Sequence, residues 1–148
     1  MDDVETRIRA CWNGTASVAE LSEWLDDDRE WSFTGPPNFD FETHTTICRV
    51  SESAVYALAK AAPDRAPIDW VAAAIVRAHG RIHEIRTYNY TSPYEAPLRW
   101  HANTLAPFGR PLWDTLRGLA EHADPDIRRR ASEILDDPEI ARLAFAGS

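Results

Sequence analysis

The hydrophobic residues of this chain recur mainly at the spacing that places side chains on one face of an α-helix. In the first segment, the residues that have the i, i+4, i+7, i+8 spacing are Val4, Ile8, Cys11 and Trp12. Asn13-Gly14 should end this helix, and Ser17-Val18-Ala19-Glu20 should begin the next, because Ser and Glu at that spacing form a capping box. Asp26-Asp27-Asp28 should end the pair of helices in a frayed, solvated turn, since three acidic residues oppose the helix dipole.

Further helices are predicted later in the chain. One extends over Glu52 to Ala62, and another begins near Pro67 and should end or bend at Gly80. A helix that begins at Pro111 carries the apolar stripe Leu112, Leu116, Leu119, Ala120 and Ala123. The next helix begins at Asp124, which should cap it, and its apolar face comprises Ile127, Ala131, Ile134 and Leu135.

Three segments interrupt this helical pattern. Trp31 to Phe41 contains Gly35-Pro36-Pro37-Asn38, which predicts an aromatic-rich loop. Thr43 to Val50 is rich in β-branched residues and suits either a short strand or the start of a helix. Arg81 to Tyr90 is equally ambiguous. If both ambiguous segments are strands, they would pair with each other as the small two-stranded element of an α+β domain.

The stretch ADPDIRRRASEIL, from Ala123 to Leu135, contains a tight Asp-Pro-Asp junction followed by an Arg-bearing helix. With the helix before it, this region resembles a HEAT repeat, most clearly over Pro111 to Leu135. The resemblance implies stacked antiparallel helix pairs, as in an α-solenoid, whose faces bind other proteins. We therefore predict one all-α domain over residues 1–148, HEAT-like, with irregular aromatic and Pro-rich insertions; the α+β domain is the alternative.

The chain has 148 residues and a formal net charge of −8. This acidic balance disfavours nucleic-acid binding and favours a basic partner. A nucleic-acid-binding helical repeat would use Arg128, Arg129 and Arg130. Consecutive residues cannot all point one way on a helix, and Glu133 is within reach of Arg129 and Arg130, so we expect these arginines to balance nearby acidic residues. No leader or long apolar run is evident, so we expect a cytoplasmic protein that does not enter the membrane.

Several side chains could support catalysis or metal binding. His44 and Cys48 are four residues apart, as are His79 and His83, and i, i+4 pairs on helices can both ligate zinc. Asp40, Glu42 and His44 could perform acid–base chemistry. Because no nucleophile or nucleotide-binding motif accompanies them, we assign no metal, cofactor or catalytic residue. A metal-assisted hydrolase that uses a His/Cys cluster is the alternative function.

Aromatic residues are concentrated in the segments that interrupt the helices. Trp and Tyr are frequent at interface hot spots, although rings can also pack beneath loops. We predict that a protein partner is contacted by Trp31, Phe33, Phe39, Phe41, Tyr88, Tyr90, Tyr94 and Trp100. The function predicted is a non-catalytic protein–protein interaction module, in its specific form a small acidic immunity or inhibitor protein that binds a basic partner.

Overall fold

The computed structural model of this protein describes residues 3–34, 45–85, 106–138 and 141–142. Its helices include α1 (Asp3–Asn13), α2 (Val18–Glu23), α3 (Val50–Ala61), α4 (Ile68–Ile85), α5 (Arg110–Leu119) and α6 (Pro125–Asp136). Short 3-10 turns occupy Trp24–Asp26 and Pro63–Arg65, and the strands are β1 (Glu30–Thr34) and β2 (Thr45–Arg49). The described part of the chain is therefore mainly helical, which confirms the predicted fold class.

The strands form a two-stranded antiparallel sheet in which Trp31 is opposite Cys48. The predicted pairing of Thr43–Val50 with Arg81–Tyr90 is wrong for residues 81–85, which belong to α4, and β2 pairs with β1 instead; residues 86–90 lie outside the described ranges. The loop predicted from Trp31 is also wrong over its first residues. Within the predicted loop, Gly and Pro occur only at positions 35–37. Nothing in Glu30–Thr34 therefore prevents an extended strand that pairs with the β-branched segment.

The core lies between the helices, where α3 and α4 occupy the centre. Helix α1 packs against α3, and α4 contacts α3, α5 and α6. The largest fully buried side chains include Ile8, Leu25, Leu58, Ile75, Leu112, Leu116 and Ile134. These residues come from five helices and from the Trp24–Asp26 turn, and they belong to one hydrophobic cluster. The helical periodicity of the sequence predicted that most of them would face the core.

Two of the predicted helix starts are confirmed by their side-chain caps. Ser17 and Glu20 form the capping box of α2, and the Asp124 carboxylate accepts a hydrogen bond from the Asp126 N–H at the start of α6. Helix α4, however, continues through Gly80 to Ile85 instead of ending there. A glycine within a long, well-packed helix costs only about 1 kcal/mol relative to alanine, and packing can offset that cost.

The start of α3 is stabilised by the backbone that precedes β1. No side chain caps this helix. Instead, the Ser51 N–H donates to the Asp27 carbonyl over 2.8 Å, and the Val50 N–H donates to the Arg29 carbonyl over 3.2 Å. Residues 27–29 therefore satisfy two of the N–H groups that a helix start leaves without partners. This contact places the three acidic residues Asp26, Asp27 and Asp28 beside α3.

Candidate functional site

One aromatic cluster lies where the end of α1 meets β1. The ring centroids of Trp12 and Trp31 are 5.8 Å apart at an interplanar angle of 48°, and the Arg9 guanidinium lies 5.2 Å from the Trp31 centroid. Trp12 is 46% exposed, whereas Trp31 is half-buried and packs against the core. We call Arg9, Trp12 and Trp31 the Trp12–Trp31 surface.

The two elements hold this surface in place. On α1, Ile8 and Cys11 are buried, so the helix is fixed against the core and Trp12 lies at the edge of its apolar face. On β1, Trp31 is directly opposite the half-buried Cys48. Arg9 is also oriented by Glu5, one turn earlier, whose Oε1 accepts from Arg9 Nη2 over 3.3 Å. The surface therefore presents an exposed indole and a cation in a defined arrangement.

A network of ion pairs lies around Asp27. Its Oδ2 accepts from Arg7 Nη1 over 2.9 Å and from Arg29 Nη2 over 2.7 Å, and Arg29 also contacts Asp3 over 3.0 Å. Hydrogen bonds from Arg29 lower the pKa of Asp27 below its ordinary value, and burial opposes them only in part. The network connects α1 to the segment that precedes β1.

Asp28 makes a second set of contacts, which reaches α3 and α4. Its Oδ1 accepts from Ser51 Oγ over 2.6 Å, and its Oδ2 accepts from Arg77 Nε over 2.8 Å. Arg77 Nη2 also donates to the Leu25 carbonyl over 2.6 Å. The predicted frayed, solvated turn is therefore wrong for Asp27 and Asp28, because basic side chains distant in sequence compensate the acidic residues that the local helix dipole disfavours.

A groove of about 220 Å³ lies between the Trp24–Asp26 turn and α4, and we call it the Trp70 groove. Its lining is formed by Leu25, Asp26, Trp70, Ala73 and Arg77. The Trp70 side chain is 55% exposed. The Asp26 residue is exposed, and its carboxylate makes no hydrogen bond or ion pair within the described ranges. The groove thus combines an aromatic ring, apolar side chains and an acidic group.

Of the His and Cys residues that suggested a metal site, the structure describes the side chains of His79 and Cys48. His79 is buried, and its Nε2 lies 3.0 Å from Glu133 Oε2. Both thiols are reduced; burial raises the pKa of Cys11 to about 12 and also raises the pKa of Cys48. Among the described residues no three His, Cys, Asp or Glu side chains are grouped as metal ligands require.

The remaining candidates for chemistry cannot be assigned a position. Asp40, Glu42 and His44 lie outside the described residues, and for His83 the structure describes only the helical backbone. Each predicted i, i+4 pair therefore has one side chain within the described part of the structure, Cys48 or His79, and one outside it. The structure does show that Nε2 of His79, one of the two ring nitrogens that could ligate a metal, already contacts a carboxylate.

The predicted aromatic contacts are only partly within the described residues. Trp31 forms part of the Trp12–Trp31 surface, and Phe33 lies in β1, where the structure describes its backbone alone. The candidates outside the described ranges are Phe39, Phe41, Tyr88, Tyr90, Tyr94 and Trp100. Sequence reasoning missed Trp12, which it placed on a buried face, and Trp70. Because Trp70 directly precedes the buried Val71 on α4, it lies on a different side of that helix and is recognisable for that reason.

No protein-family model, no curated protein and no solved structure matches this chain. The resemblance of Pro111–Leu135 to a HEAT repeat stays a prediction; in the structure α5 and α6 pack against each other and are joined by residues 120–124. In the part of the chain that the structure describes, no helix has the length and apolarity needed to span a membrane.

Proposed function

We propose that this protein is a non-catalytic protein-binding module and that the Trp12–Trp31 surface contacts its partner. The observation that carries the proposal is the half-exposed indole of Trp12 beside a Trp31 ring that is anchored in the core and stacked with Arg9. Trp and Arg are the residue types that most often dominate binding energy at protein interfaces. A partner that covers Trp12 would also remove apolar surface from water.

The anchoring of this surface favours binding further. Interface side chains lose conformational freedom when a partner orders them, and each rotamer-rich side chain then costs about 0.5–1.5 kcal/mol. Trp12 already packs against Trp31, and Arg9 is already held by Glu5 and the Trp31 ring. Much of this ordering is therefore complete before the partner arrives, and more of the contact energy remains for affinity.

The charge of the chain indicates the chemistry of the partner. A net charge of −8 attracts basic proteins and accelerates their association at low ionic strength. The specific form of the function that we propose is accordingly a small acidic immunity or inhibitor protein that captures a basic partner. The hydrolase alternative gains no support within the described ranges, where the buried His79 is paired with Glu133.

The proposal is tested by affinity purification from an extract of the source organism with three immobilised proteins: wild type, Trp12→Ser and Arg117→Ala. Arg117 is an exposed control on α5, and its side chain is 62% exposed. We expect at least one basic protein to bind wild type and Arg117→Ala, and its affinity for Trp12→Ser to be weaker by about 10-fold or more, as for other hot-spot tryptophans.

Two results would contradict the proposal. If wild type retains no protein above the level of an unrelated acidic control, the molecule is not a binding module under these conditions of assay. If a purified partner binds Trp12→Ser as tightly as wild type, the interface lies elsewhere. Circular dichroism of each variant confirms that a loss of binding does not reflect a loss of folding.

A further inference from the structure

We propose that the Trp70 groove binds an arginine side chain of a partner protein. This site is separate from the Trp12–Trp31 surface, since it is built from the Trp24–Asp26 turn and from α4. Its volume of about 220 Å³ is sufficient for one large side chain. Binding of an arginine side chain in the Trp70 groove does not depend on the role proposed for Trp12.

The lining of the groove matches the successive parts of an arginine side chain. Ala73, which is only half-buried, provides an apolar contact for the methylene groups. Trp70, a residue that is 55% exposed, provides an indole ring on which a guanidinium can stack. Asp26 provides a carboxylate, which can accept two parallel hydrogen bonds from the same guanidinium.

The charges in the groove favour a cation over an anion. Arg77 also lines the groove, but its guanidinium is held by the Asp28 carboxylate over 2.8 Å and by the Leu25 carbonyl over 2.6 Å. Asp28 thus compensates the charge of Arg77. Asp26 makes no such contact with any described residue, so its negative charge remains uncompensated in the groove. The net charge of −8 adds a long-range attraction for the same ligand.

Arginine fits this combination better than lysine does. The guanidinium is planar, so it stacks on an indole while its edge forms a bidentate contact with a carboxylate. An ammonium group forms point contacts and is more strongly hydrated, and it would therefore gain less from Trp70 and Asp26 together. We expect an affinity order of arginine, then lysine, then the neutral arginine isostere citrulline.

The experiment uses three pentapeptides, acetylated and amidated, with four Gly residues around a central Arg, Lys or citrulline. Each is titrated into 15N-labelled full-length protein while the indole N–H signals are followed by NMR. The Trp70 signal is assigned from the Trp70→Phe variant. We expect the Arg peptide to shift the Trp70 signal with a Kd of about 1 mM, and the citrulline peptide to bind about 2–5-fold more weakly or not at all, as for an exposed cation–π contact.

Matched variants locate the contact. Asp26→Asn keeps the shape of the carboxylate but removes its charge, and we expect it to weaken the Arg peptide by about 2–5-fold. Trp12→Ser should leave the Arg peptide affinity unchanged, which separates this site from the proposed protein-binding surface. The inference is overturned if the Trp70 signal does not move, if citrulline binds as well as Arg, or if Asp26→Asn has no effect while its spectrum shows a folded protein.

Discussion

The imidazole of His79 on α4 donates through Nε2 to Oε2 of Glu133 on α6, over a distance of 3.0 Å. His79 is only 3% exposed, whereas Glu133 lies at the surface, where its Oε1 is 3.9 Å from Arg129 Nε. The contact therefore extends from the core to solvent and connects two helices 54 residues apart in sequence. It gives a structural reason for a histidine whose sequence position suggested a metal ligand.

We expect Glu133→Ala to lower the free energy of unfolding by about 1–3 kcal/mol, because a buried imidazole N–H would lose its carboxylate partner. Arg129→Ala is the control, since it removes only solvent-exposed contacts, to Glu133 and to Asp126, and should cost about 0.5 kcal/mol or less. Urea unfolding followed by circular dichroism measures both changes. Equal midpoints for Glu133→Ala and wild type would show that the contact contributes nothing to stability.

Leu116 on α5 and Ile134 on α6 have no exposed surface. We expect replacement of either residue by Ala to cost about 2–5 kcal/mol, since each change removes buried methyl groups and leaves a cavity between the packed helices. The exposed Arg117→Ala variant should change the stability of α5 by less than about 0.5 kcal/mol. Thermal unfolding of the four proteins tests the assignment, and wild-type behaviour of Leu116→Ala would contradict it.

The helix faces could be predicted from sequence because they depend on a local period of about 3.6 residues. The same period explains why Trp12 was placed wrongly. At about 100° per residue, Trp12 lies about 80° from Val4 around the helix, at the edge of the buried stripe and not at its centre. Its 46% exposure follows from that position. If the angle around the helix axis is considered together with the spacing, Cys11 is placed on the buried face and Trp12 at its edge.

Features that depend on distant residues could not be predicted in this way. Arg29 is the one basic residue adjacent to the run Asp26-Asp27-Asp28, so the local sequence offers a single cation for three carboxylates and otherwise indicates solvation. In the fold, Arg7 and Arg77 approach it from 20 and 49 residues away. The strand pairing is a similar case, because the β-branched residues of Thr45–Arg49 indicate a strand but do not identify its partner. The candidate surface combines both kinds of feature, since the aromatic content of β1 indicated Trp31 but not its contact with α1.

Asp27 should make the stability of the protein sensitive to acid. Hydrogen bonds from Arg29 lower its pKa in the folded state below the value of 3.8 that we take for the unfolded chain. The stabilisation is therefore complete above about pH 4 and is lost as the pH falls through the lower, folded pKa. We expect Asp27→Asn to cost about 1–2 kcal/mol at pH 7, since two arginines lose a charged acceptor.

The test of this prediction is the difference in unfolding free energy between wild type and Asp27→Asn, measured from pH 7 to pH 2. The difference should shrink below pH 4, because protonation removes from wild type the same charge that the substitution removes. Asp114→Asn is a suitable control, since Asp114 is exposed and only 3.6 Å from Arg117 within the same helix. A difference that stays constant down to pH 2 would assign the cost of Asp27→Asn to packing and not to charge.

Cys11 should have the opposite dependence, at alkaline pH. Burial raises the pKa of its thiol from 9.0 to about 12, so the unfolded chain loses this proton first as the pH rises. The stability that the buried, neutral thiol contributes is thus present below about pH 9 and is lost progressively between about pH 9 and pH 12.

In a Cys48→Ser background, where Cys11 is the remaining thiol, we expect alkylation by iodoacetamide at pH 8 to be at least about 100-fold slower in the folded protein than in urea, because the thiolate is the reactive form. Comparable rates in the two states would mean that α1 leaves the core readily, and would contradict the buried position of Cys11 on which the arrangement of Trp12 and Trp31 depends.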